Sequence, residues 1–387
     1  MAAVQINSRS AILSFILLGT VGVLSFIVQP GLVQAFVTEL GLSESEANGL
    51  AFAEMLGVAL ATVVMIFASR VISWRILLTA GLVIAAMGNL GSAFGSAGNL
   101  GAIRFVAGLG EGIIITLGFM FLGLTRNTER NLALNLVLLL TYGALGLWAM
   151  PTVLAGIGLK GVFLIWALIN IVALATVKFV PRSMEIIEEP SPQAVQVKWV
   201  FIGVALLACF LYNTAIGVAW ANLFLIGMDI KPDEQAIANA LLIAQFVAIP
   251  GALLAFVIAR KIPRNILVGG GILLAAVAIT PLLGGPDYMK FVIAVSAFNF
   301  MWNLALPFIL SAVSDMDEKG RAMPAVIACQ MLGLGFGPAI AASLLGNNQG
   351  FDSIKMITIY LLIASFVVFL FPLWKYGQAL KARNGSS

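Results

Sequence analysis

Apolar residues run in blocks of twenty or more along this chain, separated by short stretches rich in Lys, Arg, Asn, Asp, Pro and Gly. A helix rising 1.5 Å per residue needs about 20 apolar residues to cross a hydrocarbon layer of about 30 Å. The blocks predict twelve such helices, at about residues 10–38, 47–69, 74–95, 98–125, 130–155, 160–180, 199–228, 234–260, 264–285, 288–314, 320–346 and 352–375. An all-α, polytopic membrane protein is therefore expected.

The longest polar connection, from Pro181 to Lys198, carries Glu185, Glu188, Glu189, Pro190 and Pro192 and falls between the sixth and seventh blocks. Acid and proline together suit an extended linker. The division expected is a six-helix bundle over 1–180, a linker over 181–198, and a second six-helix bundle with a short tail over 199–387. The halves echo each other at an offset of 190 residues: Arg70 to Leu77 lines up with Arg260 to Leu267, and Gly81 falls on Gly271. Two parallel six-helix repeats would produce that offset.

Charge adds orientation. With both termini cytoplasmic, the inner loops and ends hold Arg9, Arg70, Arg75, Arg126, Arg130, Lys178, Arg182, Lys198, Arg260, Lys261, Arg264, Lys319, Arg321, Lys375, Lys381 and Arg383. The outer loops hold only Lys160, Lys231, Lys290 and Lys355. Sixteen against four obeys the positive-inside rule, so the expected location is an inner membrane with cytoplasmic termini. The first residues lack a small-residue cleavage site and read as the start of the first span rather than as a removed signal peptide.

Composition excludes most other classes. Of 387 residues 61% are hydrophobic and 10% charged, where a soluble domain carries about 25% charged. The net charge of +4 is scattered singly over loops, so topology explains it better than nucleic acid does. There is no histidine, which removes the usual near-neutral proton carrier and most metal sites. Cys209 and Cys329 lie in separate apolar helices and read as inert buried thiols. No Walker lysine motif is present, and with no mid-span lysine or nucleophile–base pair an enzyme is not expected. A sensor on such a scaffold would carry an added soluble domain, for which the termini are short.

Three motifs give this pattern a family. Arg104, Gly108 and Gly110 in the fourth block form RxxxGxG, Gly333, Gly335, Gly337 and Pro338 form a glycine–proline run in the eleventh, and Arg70 sits in the loop between the second and third. With twelve spans, a central linker and a half-repeat, the chain resembles the major facilitator superfamily of secondary transporters. Two departures stand out. The superfamily's GxxxDRxGRR loop has Ser69 where its acid belongs, and Ala259 at the repeat position. The resemblance implies two pseudo-symmetric six-helix bundles rocking about a midplane cavity lined by helices 1, 4, 7 and 10. It also implies a monomer driven by a proton gradient, with no cofactor and no bound metal.

The charged residues in the interior of the spans, away from the helix ends, are Glu54, Arg104 and Glu111. A charge at a helix centre costs about 2.5–3.5 kcal/mol on insertion scales, so such groups mark functional sites by default. Arg104, Gly108, Glu111 and Ile115 share one face of helix 4. Glu111 lies about 20 Å along that helix from Gly98, near the midplane, with Arg104 about two turns nearer the outside and Glu54 of helix 2 at a depth like that of Arg104. A Glu54–Arg104 ion pair that merely holds the first bundle together is the competing structural reading. Glu111 is assigned as proton carrier or as anchor for a cationic substrate, because a carboxyl away from water can gain and lose a proton where no histidine is available.

The second half has Ala294 and Met301 at the repeat positions of Arg104 and Glu111. Its candidate lining is neutral: Tyr212, Asn213 and Trp220 on helix 7, and Asn299, Trp302 and Asn303 on helix 10. Gln29, Tyr142 and Gln245 are lesser candidates, whereas Trp74, Trp199 and Trp374 at helix ends fit interfacial anchors. Gly108, Gly110 and Gly112, like the helix 11 glycines, read first as points of close helix approach; bending at Gly337 and Pro338 is the gating alternative. One carboxylate, one arginine and a neutral aromatic wall suit a small amphipathic solute. The function expected is proton-coupled export of such a solute, with uptake of an organic monoanion on Arg104, or lipid flipping on the same scaffold, as alternatives.

Overall fold

The computed structural model describes residues 6–182, 194–259, 261–318 and 322–385. The linker residues Glu185, Glu188, Glu189, Pro190 and Pro192, and the basic residues Arg260, Lys319 and Arg321, lie outside the described residues. The described chain folds as α1 (Arg9–Val21), α2 (Leu24–Ile27), α3 (Gln29–Leu40), α4 (Glu44–Val71), α5 (Trp74–Phe94), α6 (Ala97–Gly123) and α7 (Thr128–Ala173). After a 3-10 turn over Leu174–Phe179 it continues as α8 (Trp199–Ile230), α9 (Glu234–Ile258), α10 (Arg264–Ile279), α11 (Tyr288–Ser314), α12 (Ala322–Gly346) and α13 (Gly350–Gly385). A long apolar helix pairs every interior backbone group with itself, which is what a span through lipid demands.

The twelve expected spans are all present, with two corrections to their form. The run 10–38 is not one helix but three pieces, α1, α2 and α3. The runs 130–155 and 160–180 are two helices as expected, and α7 holds both, turned at Gly158. Its Gly158 has φ 64° and ψ 177°, a left-handed turn that a residue without a Cβ adopts readily. Trp166 Nε1 donates to Tyr142 Oη at 3.1 Å, although 24 residues of straight helix would set them about 36 Å apart. So α7 is a helical hairpin and supplies helices 5 and 6. The last helix also runs ten residues past the expected 375, to Gly385.

The repeat is visible in the helix starts. Arg9 and Trp199, Glu44 and Glu234, and Trp74 and Arg264 each open corresponding helices 190 residues apart. Local chemistry sets several of these starts. Ser43 and Glu46 cap α4 reciprocally, and the Asp233 and Asp287 side chains accept from the first turns of α9 and α11.

Within the first half, glycines let α6 sit against two neighbours. A Cβ on Gly108 would overlap the Glu54 carbonyl oxygen of α4, and one on Gly110 would overlap the Ala85 backbone of α5. In the second half Gly333 and Gly337 let α12 approach Phe210 and Gly217 of α8 in the same way. Close approach is thus the role these glycines have. One expected anchor is corrected: Trp74 is only 1% exposed, its ring 5.8 Å from Phe121 and its Nε1 bonded to the Ser69 carbonyl, so it packs inside the first half. Trp199 and Trp374 are about half exposed, as an anchor requires. Cys209 is buried, Cys329 only partly so, and both are free.

The halves meet toward the face opposite the chain termini. There Gln34 donates to Glu234, Ser45 to the Ala342 carbonyl, Gln235 to the Trp148 carbonyl, and Asn48 and Asn222 bond each other reciprocally at 2.8 and 3.1 Å.

Candidate functional site

The break in helix 1 organises the centre of the molecule. Pro30, near the start of α3, has no N–H to offer its preceding turn, and Val23 and Val28 leave helical geometry on either side of α2. A broken span exposes carbonyl oxygens that must be satisfied within protein. Two aromatic donors meet them: Tyr142 Oη donates to the Leu24 carbonyl at 3.1 Å, and Trp220 Nε1 to the Phe26 carbonyl at 2.9 Å. The second bond crosses from α8 in the second half to α2 in the first.

Between those two carbonyls, Ser25 Oγ donates to Glu111 Oε2 at 2.7 Å. Glu111 Oε1 in turn lies 3.9 Å from Arg104 Nη2. The guanidinium is held chiefly by Glu54, which accepts from Nε at 3.2 Å and also from Nη2. Its Nη1 donates to Asn89 Oδ1 at 3.0 Å and to Ser92 Oγ at 3.3 Å, and its plane lies 5.1 Å from the Phe163 ring centre. Glu54, Arg104 and Glu111 are 2%, 0% and 3% exposed. The Glu54–Arg104 pair of the competing structural reading is therefore formed, and Glu111 joins it as a third member.

Phe26, beside Ser25 in the chain, stands edge-on to Trp302 at 6.4 Å, and Trp302 lies 5.6 Å from Trp220. Helices 1, 7 and 10 thus share an aromatic cluster that adjoins the helix 4 carboxylate Glu111 through the neighbouring residues Ser25 and Phe26. The remaining sequence candidates are more dispersed. Asn213 donates to its own helix at the Cys209 carbonyl, and its Cβ lies against Gly333 of α12. Asn299 donates to the Val295 carbonyl, and Asn303 to the Asn299 carbonyl at 3.0 Å. Gln245 is buried with its amide at Gly143 of α7. Gln29 Oε1, Tyr212 Oη, Asn213 Oδ1 and Asn299 Oδ1 are buried with no hydrogen-bond partner among the described residues. Gly337 packs on Gly217, and Pro338 follows it within α12.

Sequence reasoning missed Ser25, Asn89, Ser92 and Phe26. A signal existed for the first three: each is a small polar side chain inside an apolar span, where it must find a partner. Among the described residues no group of three His, Cys, Asp or Glu side chains lies at metal-holding distance.

A family profile described as Major Facilitator Superfamily matches residues 11–338, most of the chain. The chain belongs to the major facilitator superfamily. It is a multi-pass membrane transporter of that superfamily. A crystal structure of a D-xylose–proton symporter aligns with a TM-score of 0.74 at 16% identity, over 94% of this chain and 97% of that one. The inward-open conformation of the xylose transporter XylE from E. coli gives a TM-score of 0.74, also at 16% identity, covering 94% of this chain and 95% of its own. Its partially occluded inward-open form gives 0.70 at 16% identity, covering 92% and 96%. At that identity the likeness shows the superfamily fold and says nothing of cargo. No curated protein sequence matches this chain.

Proposed function

We propose that this superfamily member is a proton-coupled secondary transporter exporting a small amphipathic solute, neutral or weakly cationic, with Glu111 as the proton-carrying group. The observation that supports this most strongly is the arithmetic of the buried cluster. Two carboxyls and one guanidinium share an almost wholly buried site. With both carboxyls ionised it carries one uncompensated negative charge, and a single proton or a single cationic substrate removes it. Uncompensated buried charge is expensive, so the cluster favours holding one or the other. Glu54 is fixed by two bonds from Arg104, whereas Glu111 has a serine hydroxyl and a longer ion contact, so Glu111 is the member free to exchange.

Against the organic-monoanion reading stands the occupancy of Arg104. Its Nε, Nη1 and Nη2 already donate to Glu54, Asn89 and Ser92, leaving little with which to recognise a substrate carboxylate. Trp302, Trp220 and Phe26 supply an apolar face beside Glu111, to which Tyr142 adds a hydroxyl through the broken helix. Gly337 and Pro338 would let α12 flex as the far-face contacts part. The reading places the chain in an inner membrane with cytoplasmic termini, acting as a monomer on the proton gradient alone.

Binding of tetraphenylphosphonium and of an amphipathic quaternary amine to purified protein at two pH values tests this. Linkage between cation and proton predicts wild-type affinity that rises with pH, by up to about tenfold per unit, and a Glu111→Gln variant whose weak binding does not respond to pH. Equal pH dependence in both proteins overturns the assignment.

A further inference from the structure

A second site lies far from the buried carboxylates, on the face that carries the chain termini. Here α1 and α7 both begin, at Arg9 and Thr128, and a cavity of about 420 Å³ separates them. Arg9 and Arg130 line it with Asn127. Among the described residues no carboxylate forms an ion pair with either arginine. The acid next to them in sequence, Glu129, projects from the exposed start of α7 and does not line the cavity.

Three features of the cavity point to one chemistry. Two guanidiniums on neighbouring helices can grip phosphate oxygens from two sides, each through paired N–H donors. Ser8 already caps α1 by accepting from the Ala11 N–H, but Asn127 makes no side-chain cap on α7, so that helix's positive end and first N–H groups remain open to an anion. Below the arginines the wall turns apolar: Leu13 is 58% exposed and Leu134 45% exposed, one on each helix. A free phosphate would leave those leucines uncovered. A phosphodiester carrying acyl chains would cover them while its headgroup stays at the helix ends.

We propose that the cleft between α1 and α7 binds an anionic phospholipid, its phosphate held by Arg9 and Arg130 and its acyl chains laid on Leu13 and Leu134. Basic clefts between spans at a membrane boundary suit such headgroups. The site is independent of the Glu111 assignment, because none of its residues touches the buried cluster.

The test uses the full chain purified in detergent, with bound lipid counted by native mass spectrometry and thermal unfolding followed in parallel. The probes are dioleoylphosphatidylglycerol, dioleoylphosphatidylcholine and inorganic phosphate. The expected result is retention of and stabilisation by phosphatidylglycerol, with phosphatidylcholine and phosphate far weaker. The Arg9→Gln/Arg130→Gln double variant should lose on the order of tenfold to thirtyfold in phosphatidylglycerol affinity, each arginine contributing as a near-surface charge does. The Arg9→Lys/Arg130→Lys variant keeps the charge and should keep most of the binding; both side chains are exposed, so neither change threatens the fold. Undiminished phosphatidylglycerol binding in the glutamine variant overturns the proposal. So does equal binding of phosphatidylcholine, and so does stabilisation by inorganic phosphate that matches the lipid, which would make this a simple anion site.

Discussion

Helix 1 and helix 7 occupy equivalent places in the two halves, yet one is broken and the other runs unbroken from Trp199 to Ile230. The difference traces to a few positions. Where the first half has Gly22 and Pro30, the second has Tyr212 and Trp220 at the 190-residue offset. Pro30 withdraws an N–H from its own helix, and Trp220, its repeat counterpart, donates an indole N–H to the Phe26 carbonyl. The same asymmetry holds for charge: Glu54, Arg104 and Glu111 face Ala244, Ala294 and Met301 in the other repeat. One half therefore carries the titratable chemistry, and the other supplies an intact helix and aromatic donors to hold it. A duplicated scaffold needs only one buried ion cluster, since each such group is expensive to place in hydrocarbon.

The comparison breaks hardest at Arg104. Arg104→Ala leaves two buried carboxyls without a cation and should cost about 3–5 kcal/mol, read as a collapse in thermal stability or yield of folded protein. Changing the repeat counterpart, Ala294→Ser, should cost well under that. If Arg104→Ala is as stable as wild type, the cluster is not the buried unit described here. Next comes Gly108→Val, which forces α4 and α6 apart at the Glu54 carbonyl and should cost about 1–3 kcal/mol in unfolding free energy. The second half has Phe298 at that position, so its helix 10 does not use this close approach.

The exchange between Pro30 and Trp220 is open to a double-mutant cycle. Trp220→Phe keeps a ring but removes the donor, at about 1 kcal/mol for the lost hydrogen bond. Pro30→Ala restores a backbone N–H that can itself reach the Phe26 carbonyl four residues back, so the double variant should be more stable than the two single losses predict, by at least about 0.5 kcal/mol of coupling. Strict additivity would contradict the account of the broken helix. The smallest effect is expected at the seam between halves: Asn48→Ala with Asn222→Ala removes a reciprocal amide pair and should raise labelling of a cysteine introduced into that seam, with a stability change of about 0.5 kcal/mol. Unchanged labelling would show that the pair does not close that seam.

Much of this arrangement was legible in the sequence, and the reason is physical. Length and hydrophobicity alone dictate spans, so all twelve could be placed, and the repeat survives in helix starts such as Glu44 and Glu234. Depth made the Glu54–Arg104 pair legible as the competing structural reading, because a lone charge in hydrocarbon has few places to go. The break in helix 1 was not foreseen, although Pro30 in an apolar run was its signal. The turn between helices 5 and 6 was legible, since the two apolar runs end at 155 and resume at 160, and Gly158 lies between them at positive φ. Trp74 misled because an aromatic residue at a helix end reads as an anchor until its neighbours are known. Ser25, Asn89 and Ser92 leave no periodic trace; what selects them is an oxygen placed by tertiary packing at the right distance from Glu111 or Arg104.

The central claim is that the cluster holds one exchangeable proton and that it resides on Glu111. Proton release on adding tetraphenylphosphonium to weakly buffered purified protein measures this directly. The account predicts about one proton released per cation bound by wild type, and none by Glu111→Gln. Cation binding without proton release in the wild type, or undiminished release in the variant, would contradict it.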